Sequence, residues 1–322
     1  MEEDAGQEIK LLLGGVIPER ANEMKEYLDT YTPYFARCDD RTGFIAEGGA
    51  YGILKFTQRT MHQMWLLGFA ANLALHSYST ALTIFRMYGG VLDTKFFKQV
   101  PDQDQEEEKY KDIVDSAYEL GRVESTSEFH WPRSVPLPEN RKPSDIEGSA
   151  TFDLICMSGA YVFLHEMRHI KFSIDGNAPE DPHEEEHECD LFAKDMMLSN
   201  LAEYSEQSGY ALNRLKTKRA IAIVLGLFYM LVITPIASWG GTETHPSIKS
   251  RIESLVRDLD IHADDILWIY MSSLFLSHLQ YVGKGEMSFE FNSMKELALT
   301  LVNRIELASN NSLAADARSS SG

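Results

Sequence analysis

The arrangement best suited to chemistry is His165-Glu166-Met167-Arg168-His169. On a helix, residues four apart share a face. His165 and His169 can therefore converge on one ion, with Glu166 projecting beside them. Two neutral imidazoles and a carboxylate suit zinc and leave a position for water. The metal lowers the pKa of that water, and a nearby carboxylate can take its proton. The spacing points to metal-assisted hydrolysis, provided the chain supplies a third ligand.

That ligand is expected from a second helix close by. The stretch "DGNAPEDP" (175–182) reverses the chain, and Asp181 can cap a new helix with Pro182 at its first position. The apolar stripe of that helix runs Cys189, Phe192, Ala193, Met196, Met197. One turn back along it lies Glu186, and four residues further on lies Asp190. Glu186 is expected as the third ligand, and Asp190 as the acceptor for the other ring N–H of a ligand histidine. Glu184, Glu185 and Glu188 surround Glu186, so a solvated acidic turn is the competing reading, with His187 the alternative ligand. Arg168 places a charge inside the motif and should point outward. Further on, Thr244-His245-Pro246 with Arg251 reads, taken alone, as a helix start.

These residues need an apolar helical frame, and "SGAYVFL" and "IKFSI" flank the motif with one. Helical spacing continues over about 145–172, 182–206, 209–238, 246–260, 264–281 and 291–308. Before the motif, 18–36 and 102–120 read as helices, and 57–91 as one or two buried helices closing at Gly89-Gly90. Residues 43–56, with glycines at 43, 48, 49 and 52, form the best strand-and-turn region. Prolines at 132, 136, 138 and 143 mark an extended connection. "EFHWPRSVP" within it is a plain connector or, alternatively, an edge for a peptide to pair with. The expected fold is mainly α (α+β), with a small sheet in the N-terminal half. The expected division is an accessory, substrate-side region at 1–140, a metal-binding region at 141–308 and an unstructured tail at 309–322. Residues 1–10 read as a mobile acidic lead.

HExxH, then Glu186-x-Glu188-x-Asp190 before an apolar helix, then Thr244-His245-Pro246 with Arg251, resembles the gluzincin metallopeptidases. The pattern is similar to the HtpX and CAAX-prenyl-protease group. The size and the run "CDLFAKDMM" resemble the phage-exclusion Lit peptidases and, more loosely, the ImmA/IrrE regulators. This resemblance spans about 150–255 and implies a zincin-like zinc endopeptidase. His165, His169 and Glu186 would bind Zn2+, Glu166 would be the general base, Asp190 would orient a histidine, and His245 or Arg251 would steady the oxyanion. It also implies a protein or peptide substrate, and the Lit likeness suggests one from the translation apparatus. A zinc-stabilised regulatory module of the same fold, without turnover, is the alternative.

Whole-chain properties narrow the classes. The 322 residues carry a formal charge of −19, which argues against nucleic-acid partners and for the cytoplasm. Three cysteines suggest a reducing compartment, and the acidic N-terminus reads as no export signal. The uncharged run 220–239 is long enough to span a membrane. A single span there would put Glu186 and His245 on opposite sides, so a buried core helix is expected instead.

Overall fold

The computed structural model describes residues 2–38, 41–89, 91–138, 142–283 and 287–319, with side chains from 6 to 308. Gly90 and the side chains of the tail from 309 onward lie outside the described residues. The chain is mainly α with a small sheet in its N-terminal half. In order, the elements are α1 (Glu2–Val16), α2 (Ala21–Tyr31), β1 (Tyr34–Arg37), β2 (Ala46–Gly48), β3 (Ile53–Phe56), α3 (Gln58–Tyr88), β4 (Val91–Asp93), α4 (Gln103–Arg122), α5 (Ile146–Asp175), α6 (Pro182–Leu198), α7 (Leu201–Ser208), α8 (Leu212–Ile233), α9 (Ile248–Val256), α10 (Ile266–Tyr281), β5 (Ser288–Glu290) and α11 (Met294–Ser319). They form two compact units: residues 1–68 with 116–226, and residues 69–115 with 227–322.

The first unit is built around α5. Asp145 caps the helix by accepting from the Gly148 amide at 2.6 Å. Gly176 ends it in the left-handed conformation at φ 65, with its N–H on the Phe172 carbonyl at 2.9 Å. Leu164, Met167 and Ile170 are wholly buried. A three-stranded sheet in the order β1-β3-β2 lies along this helix. Central β3 pairs parallel with β1 and antiparallel with β2, leaving β2 at one edge. Leu54 and Phe56 of β3 face inward, and the Phe56 ring meets Phe163 of α5 edge-on at 5.5 Å.

The β2–β3 hairpin turns through Gly49–Gly52. Tyr51 there has φ 63 and is 94% exposed. A side chain at such a φ costs on the order of 1–2 kcal/mol.

The second unit centres on α10, whose residues Leu267 to Leu279 are all buried. A helix apolar all round belongs inside a core, and α11 packs along it. β4 and β5 pair antiparallel, with Leu92 opposite Phe289. His278 of α10 is fully buried among Phe228, Trp239 and Tyr281, with ring centroids 5.6–6.1 Å away. Among the described residues neither of its ring nitrogens has a hydrogen-bond partner.

Four local expectations change. The N-terminal residues form α1, with Ile9 and Leu13 buried, because the apolar residues after the acidic start share one face. The expected helix over 182–206 breaks after Leu198, since Asn200 takes a left-handed φ of 61. The expected helix over 209–238 stops at Ile233, ahead of Thr234-Pro235, as the residue before proline avoids helical geometry. The expected helix over 18–36 ends at Tyr31, where Thr32 takes a left-handed φ of 40, and β1 follows. The segment "EFHWPRSVP" contains no strand, in keeping with a plain connector, and its Trp131 indole donates to the Val135 carbonyl at 2.8 Å. Among the described residues no helix is long and apolar enough to cross a membrane.

Candidate metal centre

α5 and α6 form an antiparallel pair joined by residues 176–181. The turn works as its residues dictate: Gly176 leaves α5, Asp181 accepts from the His183 amide at 2.9 Å, and Pro182 starts α6. This brings three residues together. His165 Nε2 and His169 Nε2 lie 3.3 Å apart, His165 Nε2 is 3.5 Å from Glu186 Oε2, and His169 Nε2 is 3.4 Å from Glu186 Oε1. His165 and Glu186 are buried and His169 is half-buried, and the three form a group that could hold a metal ion.

The opposite side of each ring fixes its chemistry. His169 Nδ1 lies 2.7 Å from Glu185 Oε1, and His165 Nδ1 lies 3.0 Å from Asp190 Oδ1. A carboxylate beside Nδ1 draws the ring proton there and leaves Nε2 with a bare lone pair. Two such lone pairs and a carboxylate then face one another at 3.3–3.5 Å, an arrangement that repels unless a cation lies between them. Ligand atoms about 2.0–2.2 Å from a tetrahedral zinc sit about 3.3–3.6 Å from each other. The residues present therefore fit the ion.

Asp190 is wholly buried and accepts from the Tyr161 hydroxyl at 3.1 Å. Burial alone would lower the pKa of His169. Its bonds to Glu186 and Glu185 outweigh burial and raise it. A proton and any cation held by the group would thus compete for one nitrogen.

Glu166 lies on the β2 side of α5. Its Oε2 accepts the Gly48 N–H at 2.7 Å. Burial pushes this carboxyl above the ordinary carboxylate range, while the two histidines and the Gly48 bond pull the other way. Contact is so close that a Cβ on Gly48 would lie 2.0 Å from the Glu166 carbonyl oxygen. Arg168 points away from the group: its guanidinium binds Glu188 Oε2 at 3.0 Å and stacks 4.1 Å from the Phe172 ring. Cys189 is buried, and burial raises its thiol pKa, so it packs as a small hydrophobe.

His187 is exposed on α6. His245 and Arg251 belong to the second unit. His245 is exposed with Nδ1 2.8 Å from Thr244 Oγ1, and Arg251 is half-buried in the first turn of α9.

Sequence reasoning missed two contributors. Glu185 was indistinguishable from its acidic neighbours, and only its position one residue before Glu186, turned toward His169, sets it apart. Gly48 carried only a generic turn signal.

No curated protein and no solved structure matches the chain. A family model, peptidase U49, matches residues 54–271, well over half of the chain and including α5 and α6. The chain belongs to the peptidase U49 family.

Proposed function

We propose that this protein is a zinc-dependent endopeptidase of the gluzincin type, similar to the phage-exclusion Lit peptidases. The observation that carries this reading is the convergence of His165, His169 and Glu186 at 3.3–3.5 Å, with the Glu166 carboxylate on the same helix face. Zinc, when bound, supplies a Lewis acid that makes a water acidic enough to lose a proton near neutral pH. Glu166 accepts that proton and later returns it to the leaving amine. The Gly48 amide fixes the carboxylate for this task, and its raised pKa brings it nearer the operating pH. Glu185 and Asp190 hold the two imidazoles in their binding orientation. Among the described residues β2 pairs only with β3, so its other edge can receive an extended peptide.

From the gluzincin resemblance we assign oxyanion stabilisation to His245 or Arg251, and from the Lit resemblance a protein substrate of the translation apparatus, in the cytoplasm. The region 1–140 then acts on the substrate side and 141–308 carries the metal chemistry.

A second reading, a zinc-stabilised regulatory module without turnover, draws on the same Gly48–Glu166 bond, which also suits a structural carboxylate. The Glu166→Gln variant separates the two. On the peptidase reading it retains about one zinc per chain and loses hydrolysis of a protein substrate. Cleavage at the wild-type rate by this variant would rule out the assigned mechanism. Full biological activity of the variant alongside unfolding of a His169→Ala chain would favour the module.

A further inference from the structure

Tyr51 is unusual on two counts. It is a bulky residue held at φ 63, ψ 18, where glycine sits more easily. Its ring is also 94% exposed, so it gains no burial in return, and among the described residues its phenol has no partner. Strained residues that bring no packing cluster at ligand clamps and active sites.

Its location gives the strain a direction. Tyr51 stands at the hairpin tip, three residues after Gly48, whose amide holds Glu166. At the far end of the tip, a Cβ on Gly52 would lie 3.6 Å from Ile174 Cδ1. The hairpin therefore runs along α5 from Glu166 to Ile174, with His169 between these points. Ile174 is itself 49% exposed. The same Cβ on Gly52 would lie 3.7 Å from the Tyr31 carbonyl. Two uncovered apolar side chains thus stand at this tip of the hairpin.

We propose that Tyr51 and Ile174 form a specificity subsite that receives a large apolar side chain of the substrate, a few residues from the cleaved bond. The proposal rests on the peptidase reading above. An extended peptide advances about 3.3 Å per residue, so a chain laid on β2 beside Glu166 reaches the hairpin tip within about four residues. Tyr51 is then a residue of recognition, and its strain relates to substrate rather than to folding.

The test uses the zinc-loaded full chain as wild type, Tyr51→Phe, Tyr51→Ala and Tyr51→Gly, with a library of randomised ten-residue peptides read by mass spectrometry. Wild type should select a large apolar residue at one position within about four of the cut. Tyr51→Phe should keep that preference. Tyr51→Ala and Tyr51→Gly should lose about tenfold in kcat/KM on the selected peptide, chiefly through KM. They should cleave its serine-substituted counterpart as wild type does. The Tm of Tyr51→Gly should not fall, because the left-handed strain is relieved. An unchanged preference in Tyr51→Ala overturns the subsite while leaving the peptidase reading in place. A Tyr51→Gly chain that melts well below wild type overturns it too, since Tyr51 would then be structural. A zinc-replete wild type that cleaves no library member removes the peptidase reading and the subsite together.

Discussion

The Gly48 amide donates to Glu166 Oε2 at 2.7 Å from a strand so close to α5 that a Cβ on Gly48 would meet the Glu166 carbonyl oxygen at 2.0 Å. The obstacle is helix backbone, which cannot swing aside as a flexible side chain would. Gly48→Ala should therefore push β2 off α5 or strain both, at about 1–3 kcal/mol. The amide would be drawn away from the carboxylate at the same time. Urea unfolding together with peptide hydrolysis checks this, and an alanine chain matching wild type in both would show that the strand does not approach so closely.

Glu185 and Asp190 each serve a different imidazole, so each should be separately removable. Glu185→Gln and Asp190→Asn preserve shape and weaken the pull on Nδ1. Each should loosen zinc by about 10–100-fold, measured by competition with a chromogenic chelator, with helix content unchanged by circular dichroism. Asp190→Asn also disturbs the Tyr161 hydroxyl bond and should be the worse folded of the two. Wild-type zinc affinity in both variants would remove their orienting role.

His278 predicts an acid-sensitive fold away from the metal centre. Burial lowers its folded pKa from 6.5 to about 3. Between these values the unfolded chain binds a proton that the folded chain refuses, so stability falls as pH drops below 6.5. From pH 7.5 to 5 this single residue should remove about 2 kcal/mol. The His278→Leu chain should lose correspondingly less over the same interval in urea titrations. Equal losses in both proteins would place the acid sensitivity elsewhere.

What could be read from the sequence was what lies close along the chain. Helical periodicity placed His165, His169, Glu186 and Asp190 on facing stripes, and Asp181-Pro182 marked the start of α6, because caps and four-residue spacing are local properties. The glycines of 43–56 announced the small sheet. Its position over Glu166 could not be inferred, since Gly48 and Glu166 are 118 residues apart and nothing in either neighbourhood names the other. Glu185 was hidden for a different reason. In a run of acids, type and spacing do not say which carboxylate turns inward, and only the packing of α6 on α5 does. α1 was obscured because its acidic start drew attention from Ile9 and Leu13, which anchor it.

The long separation between the hairpin and the helix pair has a further implication. Every donor atom of the cation-holding group comes from a stretch of 22 residues, His165 to Glu186. The amide that holds the Glu166 carboxylate arrives from 118 residues earlier in the chain. If the chain works as proposed, ion capture and alignment of the base are thus inherited from separate tracts of the gene. On the peptidase reading, a chain clipped ahead of β3 would forfeit the second and, with α1 and α2, much of the cover that α5 has within the same compact unit.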